Sequence, residues 1–138
     1  MNRQIFSRLA LLAGAVLALA SVGLAKTYHM TSMTTVPGAA GEVNVAKEKN
    51  GNTQIDVSVM HLAKPGMLTP PANAYVVWFQ QAGSQPQSQG ELKVGDDLKG
   101  DLKSTTTLNH FNVIITAETD SQTKTPSDEV VLRATVQE

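Results

Sequence analysis

The 138-residue sequence predicts an all-β fold, an antiparallel β-sandwich of seven or eight strands. Three observations lead there. No helical period is present after the first 25 residues. Short alternating apolar runs are separated by turn signals rich in Gly, Pro, Asn and Asp. Two runs, residues 73–81 and 110–118, are apolar enough to form the middle of the sandwich.

The elements follow in order. Residues 1–25 read as a signal peptide: Arg3 and Arg8 are basic, Leu9 to Ala20 is apolar or small, and Gly23-Leu24-Ala25 is what a signal peptidase recognises. Cleavage is expected after Ala25. The alternative is a retained anchor, for which the 17-residue apolar run of Leu9 to Ala25 is short against the ~20 residues a bilayer requires. The expected mature chain, residues 26–138, is one domain. Lys26 to Val36 reads as an edge strand or an arm, and an unpaired edge there invites pairing with another chain.

Val43 and Val45, then Ile55, Val57 and Val59, alternate with polar residues around Asn50-Gly51, the signature of a type I′ hairpin. Pro65-Gly66 and Pro70-Pro71 make residues 64–72 a connection, which is expected to carry the chain to the second sheet. Tyr75 to Phe79 is apolar at every position, as in a central strand covered on both faces. Trp78, the only tryptophan, is expected to be a main filler of the interior between the two layers. Gln80 to Gln89 reads as a polar turn, Gly90 to Val94 as a short strand, and Gly95-Asp96-Asp97 as a tight turn. Leu98 to Leu108 has a weaker pattern. Phe111, Val113, Ile115 and Ala117 share one face of a strong strand, and Thr119 to Asp128 is a polar loop. Val130, Leu132, Ala134 and Val136 are in phase on the last strand.

Composition excludes several function classes. Loss of Arg3 and Arg8 leaves 9 basic and 12 acidic residues, a net charge of −3, which argues against nucleic acid as a partner and against attraction to anionic lipid. The absence of cysteine rules out a disulfide framework and thiolate chemistry, and favours a bacterial envelope. No nucleophile elbow, phosphate loop, dinucleotide fingerprint or calcium loop is present, so no catalytic residue and no cofactor are expected. The soft ligands His29, Met30, Met33 and His61, with Met60 and Met67 nearby, are the candidate metal site, of a kind that suits copper. The two polar loops, residues 80–89 and 119–128, are the candidate binding surface, with five glutamines in the first.

Tyr75, Trp78, Gly90, Leu92 and the run Phe111-x-Val113-x-Ile115-Thr116-Ala117-Glu118, followed by Pro126, carry a likeness. Over residues 73–136 the chain resembles the C-terminal extracytoplasmic domain of anti-sigma-K factors. The resemblance implies an immunoglobulin-like sandwich outside the cytoplasm, with no catalytic residues. It departs at Asp120-Ser121, where the family carries a glycine pair, and in lacking the family's sigma-binding domain. The expectation is therefore a periplasmic or secreted, non-enzymatic binding or interaction module, with another envelope protein as partner. A periplasmic copper-binding protein is the alternative.

Overall fold

The computed structural model describes residues 25–138, so the expected signal segment, apart from Ala25, lies outside the described residues. It is an all-β sandwich of two antiparallel sheets. The strands are β1 (Lys26–His29), β2 (Thr31–Ser32), β3 (Ala40–Lys47), β4 (Thr53–Met60), β5 (Ala74–Gln80), β6 (Gln87–Leu92), β7 (Gly100–Thr106), β8 (His110–Glu118) and β9 (Val130–Gln137). One sheet has the order β1-β3-β4-β7 and the other β2-β9-β8-β5-β6. Among the described residues the strands number nine because the N-terminal strand divides, β1 pairing with β3 and β2 with β9. Met30 marks the crossing, and its N–H donates to the Gly41 carbonyl.

Alternation places Val43, Val45, Ile55, Val57 and Val59 of one sheet against Tyr75, Val77, Phe79, Phe111, Val113 and Ile115 of the other. The Phe79 and Phe111 rings lie 5.0 Å apart at 48°, an aromatic contact that adds to simple burial. Tyr75 is fully buried, and its hydroxyl donates to the Ala63 carbonyl at 2.6 Å. Burial pushes the Tyr75 phenol up to about 12.

Trp78 is fully buried but not where the sequence suggested. Its indole lies on the far face of the five-stranded sheet, in a separate cluster with Val76, Ile114 and Val130. Alternation along β5 requires this: Tyr75, Val77 and Phe79 point inward, so Val76 and Trp78 point out. The residue 119–128 segment covers that face. Ser127 N–H donates to Glu118 Oε2 at 2.9 Å, and Ser121 to Lys124 share a depression with Pro86, Ser88 and Gly90.

Three local expectations change. The β3–β4 hairpin is present, but only Gly51 has positive φ, and its N–H bonds the Glu48 carbonyl. The turn is thus a type I turn closed by a glycine bulge, not type I′. Leu98 to Leu108 contains β7, which pairs with β4 along its length. In β9 a register shift opposite Ile115/Thr116 turns both Val131 and Leu132 into the core and leaves Val130 in the outer cluster.

At Gly100, where β7 begins, an added Cβ would lie 2.7 Å from the Lys93 carbonyl. Backbone atoms cannot step aside as a flexible side chain can. Gly100→Ala is expected to lose about 1–2 kcal/mol, measured as a lower urea midpoint at unchanged slope.

Candidate functional site

The two sides of the sandwich are finished differently. On one side the β1–β2 strand straddles both sheets, and Tyr28 Oη donates to the Gln137 carbonyl at 2.6 Å, binding the edges together. On the other side β6 and β7 are both edge strands, one from each sheet. They meet closely at Gly100 and Lys93 and are joined midway by Ser104 Oγ donating to Gln89 Oε1 at 2.6 Å. That bond depends on a bulge. Val77 pairs with Gly90 and Trp78 with Ser88, so Gln89 is the residue left over, and Gly90 absorbs the distortion at φ 121°.

Beyond Ser104 the edges bound a cleft of about 440 Å³. Asn52, Gln81, Ser84, Gln85, Gln87, Gln89 and Thr105 to Thr107 line it, with Phe79 and Leu108 as the apolar residues. Among the described residues no charged side chain lines it. Amides and hydroxyls both donate and accept hydrogen bonds, so such a wall matches an uncharged ligand carrying both kinds of group. The sequence pointed to the glutamines of residues 80–89. It gave no sign of Asn52 or of Thr105 to Thr107, because only the β4–β7 and β5–β6 pairings bring those turns together.

The second candidate loop, residues 119–128, has a different place. It leaves the end of β8 opposite the cleft and serves as cover for the indole. Trp78 Nε1 donates to Thr116 Oγ1 at 2.8 Å, Thr116 Oγ1 donates to Glu118 Oε2 at 2.6 Å, and the same oxygen receives the Ser127 N–H. Glu118 is 7% exposed. This chain of bonds ties the indole to the loop.

The metal candidates are divided. His29 is exposed at the end of β1, with Nδ1 3.7 Å from Glu42 Oε1. Met30 packs against the core, its Sδ lying 2.9 Å from where a Gly41 Cβ would stand. Met33 is half-buried, and its N–H bonds the Val131 carbonyl. His61 is exposed just past β4 with φ 56°. Met67 is exposed on the 3-10 turn Pro65–Met67. Of the wider set, the structure brings His29 and Met60 to one hollow, on the outer face of the four-stranded sheet. Among the described residues there is no group of three or more His, Cys, Asp or Glu able to hold a metal.

That outer face also carries Asp56 and Asp101, diagonal neighbours on β4 and β7. A side-chain hydrogen bond with Asp101 raises the Asp56 carboxyl to about 6; burial and the Asp101 charge add to this, and Lys103 opposes it. Asp56 Oδ1 is buried with no partner among the described residues. The folded carboxyl thus holds its proton more tightly than the unfolded one. Its contribution to stability is full below about pH 3.8 and is lost as pH rises through about 6. Asp56→Asn is expected to match wild type near pH 4 and to exceed it near pH 7.5 by less than about 1 kcal/mol, solvent screening limiting the gain. Urea midpoints at the two pH values test this, and a difference that does not change with pH contradicts the pairing.

Comparison with known protein families and with curated proteins finds no match to this chain.

Proposed function

We propose that this chain is a non-enzymatic binding module of the bacterial envelope, holding an uncharged, extended stretch of a partner polypeptide in the β6–β7 cleft. The cleft's wall carries the reading: nine amide and hydroxyl residues without a charge, set between two strand edges that have no paired strand on that side among the described residues. An extended peptide supplies alternating N–H and C=O groups to such edges, and its side chains meet the amides. A sugar is the poorer fit. Sugar rings favour an open aromatic face, and Phe79 is 2% exposed.

Export is supported by the N-terminal segment and the absence of cysteine. The likeness of residues 73–136 to an extracytoplasmic domain agrees. The test is a photo-crosslinking residue placed at Gln85 or Gln87, with exposed Gln54 as control, in cells of the native host. Adducts from the first two positions and not the third, in the osmotic-shock fraction, support the reading. Equal adducts at all three, or none, reject it.

A second reading, capture of Cu(I), is favoured by one observation: His29 and Met60 line the same hollow. Thioether and imidazole are suitable ligands for that ion. Titration of the mature protein with Cu(I), beside His29→Ala and Met60→Ala, decides it. Binding weaker than about micromolar, or indifferent to both changes, ends the idea.

A further inference from the structure

Asn50-Gly51 is the one asparagine–glycine step in the chain. It stands at the tip of the β3–β4 hairpin, where Lys47 to Gly51 are all exposed. Asparagine is a chemically labile side chain, and the residue after it supplies the internal nucleophile, its backbone nitrogen. Glycine brings no side chain to obstruct that nitrogen. A Cβ built on Gly51 would meet nothing within 4 Å, so the surrounding space is open to water as well.

Two hydrogen bonds of the turn bear on the reaction. Asn52 N–H donates to Asn50 Oδ1 at 3.0 Å. Attack on the Asn50 side-chain carbon drives negative charge onto this oxygen, where a donor already stands to receive it. Gly51 N–H donates to the Glu48 carbonyl at 3.2 Å, a longer bond than the 2.8 Å one from Glu48 N–H to the Asn52 carbonyl. The nucleophile is therefore held by the weaker of the two bonds. The other asparagines among the described residues are placed differently. Asn44 and Asn112 lie within β3 and β8, each followed by valine, whose branched side chain crowds the approach. Asn52, Asn73 and Asn109 precede Thr53, Ala74 and His110, the first residues of β4, β5 and β8. In each case the attacking nitrogen belongs to a strand residue that carries a Cβ.

We propose that Asn50 is a site of self-modification, losing its side-chain amide through a cyclic imide formed with Gly51. The Gly51 nitrogen gives up its proton and bonds to Asn50 Cγ. The Cγ–Nδ2 bond breaks, and Nδ2 leaves as ammonia with that proton. Water then opens the imide at either carbonyl, leaving aspartate or isoaspartate at position 50. Water is the one co-reactant, and loss of the Gly51 proton makes the reaction faster as pH rises.

The product alters the candidate cleft, because Asn52 lines it and takes its hold from Asn50 Oδ1. Isoaspartate lengthens the main chain just ahead of Asn52 and sets a carboxylate beside a wall of amides and hydroxyls. The chemistry at Asn50 does not rest on a partner filling the cleft, so this inference and the crosslinking experiment can fail separately.

The test incubates the purified protein in mildly alkaline buffer, folded and in urea, beside Asn50→Gln, whose longer side chain closes the ring less readily. Peptide mapping by mass spectrometry is expected to find the amide-to-acid mass gain at Asn50 before any other asparagine, in the folded protein as in urea. An isoaspartate methyltransferase is expected to label the product, the gain is expected to slow in mildly acidic buffer, and Asn50→Gln is expected to show neither gain nor label. The aged, 15N-labelled protein is expected to show a shifted Asn52 amide. Acid gain at Asn50 in urea alone, or first at another asparagine, overturns the proposal. An Asn52 amide unmoved in the modified fraction overturns its link to the cleft.

Discussion

Trp78→Ala is expected to destabilise this protein by about 3–5 kcal/mol, a large share of the roughly 5–15 kcal/mol that holds a domain of ordinary size together. The indole is fully buried, and its cluster contains just two other buried residues, Val76 and Ile114, with Val130 packed alongside. So small a group cannot close over the space left by a tryptophan. The substitution also removes the donor to Thr116 Oγ1. Trp78→Phe separates the two effects, since it keeps most of the ring bulk and loses the bond; a loss of about 1 kcal/mol from the bond is expected there. Far-UV circular dichroism in urea measures both, because the alanine variant has no tryptophan emission. An alanine variant melting within a few degrees of wild type would show that the outer cluster contributes little.

The second large effect belongs to Glu118. Its Oε2 accepts from both Thr116 Oγ1 and Ser127 N–H, so Glu118→Ala leaves two buried or half-buried donors without a partner and frees the segment that covers the indole. A loss of about 2–3 kcal/mol is expected, with faster hydrogen exchange at Ser127 and a red-shifted Trp78 emission in the folded state. Glu118→Gln retains an acceptor oxygen and loses less. Glu129→Ala, exposed just past that segment, is the control and stays within about 0.5 kcal/mol of wild type. Were Glu118→Ala to leave exchange and emission unchanged, the loop would be held by something other than this carboxylate.

The two effects share a cause that the sequence half disclosed. Five consecutive apolar residues, Tyr75 to Phe79, told correctly that β5 is covered on both faces. They did not tell which residue faces which layer. Side-chain size pointed to Trp78 as the central filler, whereas alternation sends Tyr75 inward with Val77 and Phe79. The polar loop 119–128 carries no periodicity, so its course across the sheet had no local signal. Likewise the candidate cleft draws its glutamines from residues 81–89, which sequence composition singled out, and Asn52 and Thr105 to Thr107 from elsewhere in the chain, which it did not.

What the sequence by itself determined is the class of structure: extended segments, most of their turns, and the inward faces of β3, β4 and β8, each legible in a period of two. A period is local, and it survives any arrangement of the strands. The tertiary structure alone decided which edges stay open, which face Trp78 occupies, and which turns meet at the cleft and the hollow. Those outcomes depend on strand order and on single-residue register shifts at Gln89 and Val131. Each is set by contacts between residues far apart in the chain, where no short stretch contains both partners.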